Sequence, residues 1–145
     1  MCDPSAGSGA LEQMVLAEYL PDNYDAHLST LWPMLQNKAQ VLCDALDENF
    51  GASVEYEPAK GGIYLWVTLP ENVDTDKLYG LALAQGVEIN PGSQWTVKGS
   101  DNKNRMRLCF GHPSTDQIKD GIAVLADVCF KEFGVPTHSG NVPRT

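Results

Sequence analysis

Apolar residues recur at three- and four-residue steps from Leu28 through Leu31, Leu35, Ala39, Leu42 and Leu46 to Phe50, the spacing that keeps one face of a helix apolar. Gly51 closes the run, as glycine commonly does just past a helix end. A shorter stretch, Ala10 to Leu20, places Leu11, Met14, Val15 and Leu16 at helical spacing and is expected to stop at Pro21-Asp22-Asn23. Pro33 lies inside the longer stripe. It predicts a kink or a division there, because proline removes an N–H and crowds the preceding turn, at a cost of about 3 kcal/mol.

The pattern then changes period. Ala52 to Glu57 alternates weakly, Pro58 to Gly62 turns the chain, and Ile63-Tyr64-Leu65-Trp66-Val67-Thr68-Leu69 carries the strongest strand signal in the sequence. These two runs are expected to pair as a hairpin. Lys77 to Gln85 reads as a short helix stopped at Gly86. Val87-Glu88-Ile89 is a brief extended piece before an Asn90-Pro91-Gly92 turn, and Gly99 to Asn104 is polar and expected to be mobile. Asn104 to Phe110 reads as a strand. Ser114-Thr115-Asp116-Gln117 then has the form of a capping box, worth about 1 kcal/mol for the cap, ahead of a stripe of Ile118, Ile122, Leu125 and Cys129 that ends at Gly134.

The order α-α-β-β-α-β-β-α predicts an α+β fold: a small, mostly antiparallel sheet covered on one side by helices. Residues 1–9 read as a ragged start, 10–134 as the folded domain and 135–145 as a loose tail. There is no internal repeat.

At 145 residues the chain can bury a core without metal or disulfide staples. A net charge of −9 argues against nucleic acid and anionic membrane surfaces, which need a basic footprint. Cys2, Cys43, Cys109 and Cys129 form no Cys-x-x-Cys, and His27, His112 and His138 have no ligand-like spacing, so no metal site is expected. Cys43 and Cys129 fall on apolar helix faces and read as buried small hydrophobes. With no signal-like start and no long apolar run, a cytoplasmic setting is expected.

The candidate chemistry lies in Asn104-Arg105-Met106-Arg107-Leu108-Cys109-Phe110. Strand alternation puts Met106, Leu108 and Phe110 on one face and Arg105, Arg107 and Cys109 on the other. A guanidinium on a strand is held more stiffly than one on a loop, and its planar fork suits a carboxylate bidentately. The plain alternative is a solvated arginine on the open side of a sheet.

Several segments together resemble the small, C-terminal domain of fold-type I, class I/II aminotransferases that use pyridoxal phosphate, in particular the group with 2-aminoadipate and kynurenine aminotransferases. They are Gln13–Leu20 (QMVLAEYL), His27-Leu28 with the long helix, Pro58–Pro70 (PAKGGIYLWVTLP), Gly86–Trp95 (GVEINPGSQW) and Asn104–His112 (NRMRLCFGH). The resemblance spans about residues 10 to 133. It implies that Arg107 clamps the α-carboxylate of amino acid and 2-oxo acid substrates. It also implies that Ser93 and Trp95 approach the substrate side chain, that Arg105 is a surface cation, and that the enzyme is a homodimer.

The same resemblance implies what the chain does not supply. Pyridoxal phosphate needs a Schiff-base lysine, a pyridinium partner and phosphate ligands, which the family keeps in its large domain. None of Lys38, Lys60, Lys77, Lys98, Lys103, Lys119 and Lys131 stands in the family's lysine motif. No catalytic residue is therefore expected here, no cofactor is expected on this chain alone, and the sequence reads as a truncated or split enzyme. The Ala10–Leu20 helix would lack its large-domain partner and is expected to self-associate. The competing functional classes are a non-catalytic module that senses a carboxylate and a structural dimerisation domain.

Overall fold

The computed structural model describes residues 9–95 and 102–137. Cys2, Lys98 and the end of the chain from His138 lie outside the described residues.

The first element is one helix, α1 (Ala10–Phe50), with Pro21 and Pro33 inside it. The expected stop at Pro21 and two separate helices are thus corrected to a single α1. Proline's own φ is helical, so α1 runs through both rings, each at the loss of one N–H donor. No glycine between Ala10 and Phe50 offers the chain a way out. Pro33 still marks a boundary: the chain divides into two compact units that meet between Met34 and Leu35. In the first unit Leu11, Met14, Val15 and Trp32 are 59–73% exposed. Only the second half of the predicted stripe is core: Leu42, Leu46 and Phe50 are buried, whereas Leu28, Leu31 and Leu35 are half-buried.

The second unit holds β1 (Glu55–Tyr56), β2 (Tyr64–Thr68), α2 (Thr75–Leu83), β3 (Asn90–Pro91), β4 (Arg105–Cys109) and α3 (Thr115–Phe133). The strands form one sheet in the order β1-β2-β4-β3, with every pair antiparallel. The β1–β2 hairpin is present, though β1 is shorter than Ala52–Glu57. The extended piece expected at Val87–Ile89 pairs instead at Asn90–Pro91. The α+β expectation holds.

One sheet face is the core. Leu65, Val67, Met106, Leu108 and Phe110 project into it and meet Leu42, Leu46 and Phe50 of α1, Leu78 and Ala82 of α2, and Ile118, Ile122, Leu125 and Cys129 of α3. The predicted capping box forms: Ser114 Oγ accepts from the Gln117 N–H at 3.2 Å, and Gln117 Oε1 accepts from the Ser114 N–H at 2.8 Å. Gly134, at φ 69°, ends α3 left-handed. The next residue, Val135, is buried and donates its N–H to the Cys129 carbonyl at 3.3 Å.

The loop ahead of β4 is tied down where it is described. Asn104 Nδ2 donates to the Leu69 carbonyl at 2.6 Å, and the Leu69 N–H to the Asn104 carbonyl at 2.8 Å. Thr75, fully buried, donates its N–H to Lys103 at 2.7 Å and its hydroxyl to the Arg105 carbonyl at 2.9 Å. Of the Gly99–Asn104 stretch, residues 99–101 lie outside the described residues, and the backbone groups of Lys103 and Asn104 find partners.

Candidate functional site

The sheet's other face carries no helix-side core residues. Along β4 the burial alternates: Met106 and Leu108 are buried, Arg107 is half-buried, and Arg105 and Cys109 are exposed. Register places Trp66 directly across from Arg107 on β2 and Asn90 directly across on β3. Tyr64, two residues before Trp66, is a diagonal neighbour, within reach of a long side chain.

Two rings close on the guanidinium. Arg107 Cζ lies 3.9 Å from the Tyr64 ring centroid and 3.5 Å from that of Trp95. Rings that near to one carbon cannot share a face of the group, so they lie on different sides of it. Each such contact is worth about 0.5–1 kcal/mol where water still reaches it. The edge of the guanidinium plane is the direction left for a partner.

That edge is under-satisfied. Arg107 Nε is buried and has no hydrogen-bond partner among the described residues. A buried orphan donor costs about 1–3 kcal/mol, and more when the group is charged. Among the described residues the ion pairs are Lys77–Glu132 at 3.7 Å and Lys131–Asp127 at 2.6 Å, and neither involves Arg107 or Arg105. A guanidinium's planar fork is suited to pair a carboxylate bidentately.

The residues around it reach the site by different routes. Trp95 ends a 3₁₀ turn, Gly92–Trp95, that lies against β4. A Cβ at Gly92 would stand 2.7 Å from the carbonyl oxygens of both Arg105 and Asn102, so only glycine fits this approach. Ser93 does not touch Arg107 through a hydrogen bond: its hydroxyl donates to Asp76 Oδ1 in the first turn of α2 at 2.7 Å. Arg105 shares the Arg107 face and lines an open groove with Glu55, Glu57, Tyr64, Trp66 and Thr68. A second groove, between the α2–β3 connection and α3, touches Cys109 and His112.

The sequence singled out Arg107 by strand pattern and resemblance, and Ser93 and Trp95 by resemblance alone, and did not single out Tyr64, Thr75 or Asp76. Tyr64 was recoverable from the sheet register. The Asp76 link, across 17 residues, had no local signal.

Cys43 and Cys129 lie in the buried core, away from this face of the sheet. Burial pushes the Cys129 thiol up to about 12 and also raises that of Cys43. Among the described residues no group of three or more His, Cys, Asp or Glu side chains could hold a metal ion. No described helix is long and apolar enough to cross a membrane.

With this geometry in place, comparison with known proteins decides the family. Residues 1–125 match the family model for aminotransferase class I and II. The chain belongs to the class I and II aminotransferases. It is 29% identical over 127 residues to aromatic-amino-acid aminotransferase 1 of Thermococcus litoralis, a match covering 87% of this chain and 30% of that protein. It is 32% identical over 118 residues to the HTH-type transcriptional regulator NorG of Staphylococcus aureus, covering 80% of this chain and 26% of the regulator. Among solved structures it superposes on the α-aminoadipate aminotransferase of Thermus thermophilus, complexed with N-(5'-phosphopyridoxyl)-L-leucine. That match has a TM-score of 0.75 and 28% identity and covers 81% of this chain and 30% of that one. The chain spans less than a third of the length of each of these relatives.

The aminotransferase family implies pyridoxal phosphate, and the described residues do not make up a site for it. Lys38 donates to the Gly111 carbonyl at 3.0 Å, Lys77 pairs with Glu132, Lys131 pairs with Asp127, and Lys60, Lys103 and Lys119 are exposed. No described lysine is buried, as a Schiff-base lysine in a closed site would be. The N-termini of α2 and α3 are already capped by Asp74 and Ser114 and carry Asp76 and Asp116 in their first turns. A phosphate there would meet like charge and occupied N–H groups.

Proposed function

We propose that this chain is the substrate-acid-binding part of a pyridoxal-phosphate-dependent aminotransferase, corresponding to the family's small, C-terminal domain. Arg107 is its α-carboxylate clamp. The observation that carries the reading is the Arg107 guanidinium, stacked between Tyr64 and Trp95 with its Nε unpartnered and no described acid beside it. The intact enzyme moves an amino group between an amino acid and a 2-oxo acid, and the chain's contribution is to fix the acid end in one orientation. Trp95 borders the bound acid as the ring over the guanidinium. Ser93, its proton given to Asp76, offers the ligand only an acceptor oxygen.

The cofactor's lysine, pyridinium partner and phosphate ligands belong to another part of the enzyme, and the chain by itself does not transaminate. The intact enzyme is a cytoplasmic homodimer. The exposed Leu11, Met14 and Val15 of the first unit suit an interface that buries them.

The test mixes the chain with pyridoxal phosphate and an amino donor. The expected result is no visible absorbance band from a lysine-linked cofactor and no 2-oxo acid formed. A coloured preparation that turns over contradicts the reading.

A second reading has one observation in its favour, the match to a transcriptional regulator at 32% identity. In it the same Arg107 face senses a small carboxylate without catalysis. Calorimetric titration of the chain with glutamate, 2-oxoglutarate and 2-aminoadipate separates the two. Tight binding selective for one of the three acids favours the sensor, and weak binding shared by all three favours the incomplete enzyme.

A further inference from the structure

Arg107 is long and has four rotatable side-chain bonds, so a strand position alone does not fix its fork. What fixes it is what lies on its two faces. On one side is Tyr64, carried by the same sheet: β2 pairs with β4 so that Trp66 opposes Arg107, and Tyr64 reaches across the diagonal. On the other side is Trp95, carried by a turn outside the sheet. A turn is a weaker support than a strand, so its attachment matters. Two devices hold it. Gly92 lets the turn approach the backbone at Asn102 and Arg105, and the Ser93 hydroxyl is held by Asp76 Oδ1 at 2.7 Å. Asp76 sits in the first turn of α2, whose start is itself fixed to the chain before β4 through Thr75.

We propose that Tyr64 and Asp76 are positioning residues for the Arg107 clamp. Tyr64 closes one face of the guanidinium. Asp76, acting through Ser93, holds the turn that lays Trp95 on the other. The proposal rests on the clamp reading and adds the reason why that clamp accepts an acid only in its own plane. Tyr64 acts through its ring and not its hydroxyl. Asp76 acts as a hydrogen-bond acceptor and not through its charge. Those two statements decide which substitutions are tolerated.

The experiment follows the Arg107 Nε–H signal in the full chain labelled with ¹⁵N-arginine, assigned as the signal lost in Arg107→Lys, and titrates it with 2-oxoglutarate. A guanidinium between two rings is displaced by their ring currents from the ordinary arginine position. Tyr64→Phe and Asp76→Asn, which keep the ring and the acceptor, are expected to leave that displacement intact and the apparent Kd within about twofold. Tyr64→Leu is expected to remove a large part of the displacement and weaken the apparent Kd about three- to tenfold, with Asp76→Ala acting in the same direction by a smaller factor. Thermal unfolding of each variant accompanies the titration, so that loss of fold is not read as loss of position.

Folded Tyr64→Leu and Asp76→Ala chains with an unchanged signal and unchanged response overturn the positioning roles. If 2-oxoglutarate still binds Arg107→Lys as it binds the natural chain, the clamp reading fails instead. If the natural chain does not respond to 2-oxoglutarate at all, the positioning roles are judged on the displacement alone. An Nε–H displacement equal in the Tyr64 and Tyr64→Leu chains sinks them.

Discussion

The two faces of β4 are made by neighbouring residues and do opposite work. Met106, Leu108 and Phe110 are 0–6% exposed and sit among Leu65, Val67, Leu125 and other core side chains. Arg105, Arg107 and Cys109 look away from that core. On the inner face every atom has a neighbour, and packing explains each residue. On the outer face one donor, Arg107 Nε, has none, and stability does not explain why a cation is held there. The difference shows how a five-residue strand separates a packed face from an open one.

The inner face carries the largest expected effect. Phe110→Ala is expected to cost about 3–5 kcal/mol of folding stability, from lost transfer energy and the cavity left behind, measured by urea unfolding. Arg107→Ala tests the other face of the same strand. It removes two stacking contacts of about 0.5–1 kcal/mol each but also an orphan donor costing about 1–3 kcal/mol. Its stability is therefore expected to be unchanged or slightly raised. A loss comparable to that of Phe110→Ala would mean that the two faces are not divided as described.

Smaller changes sharpen the picture. Thr75→Val strips the Arg105 carbonyl of its buried hydroxyl donor and is expected to cost about 1–2 kcal/mol, with the loop before β4 losing protection from hydrogen exchange. Ser114→Ala removes the α3 cap at about 1 kcal/mol, read as a lowered Tm. The pH dependence is gentler. Cys129, with its thiol pushed up to about 12 from an ordinary value of 9.0, is a raised acid. Its contribution is whole below about pH 9 and is lost as pH rises toward 12, because the unfolded chain ionises first. Cys129→Ala is expected to flatten that alkaline decline, and an unchanged slope would place its cause elsewhere.

The inner face of β4 was legible because apolar alternation is a local signal. So was the α3 capping box, which needs only Ser114 and Gln117 at a fixed spacing. Pro21 misled because proline reads as a stop in the sequence, whereas its φ is helical and α1 runs through it; at Pro33 the expected boundary falls beside the ring, between Met34 and Leu35. At the site, Arg107 and Trp95 stood out through motif and resemblance. Tyr64 required the β2–β4 register, and Asp76 and Thr75 required contacts between segments far apart in the chain. No periodicity encodes a hydroxyl of α2 satisfying a carbonyl of β4.

The most direct test of the central claim is steady-state kinetics of the holoenzyme carrying this sequence, compared with its Arg107→Ala variant. Loss of a charge-assisted, bidentate grip predicts a raised KM for the acid substrates and a kcat/KM lowered on the order of a hundredfold. Arg107→Lys should fall in between, since it keeps the charge and loses the fork. An Arg107→Ala holoenzyme with near-natural KM and kcat/KM would contradict the account.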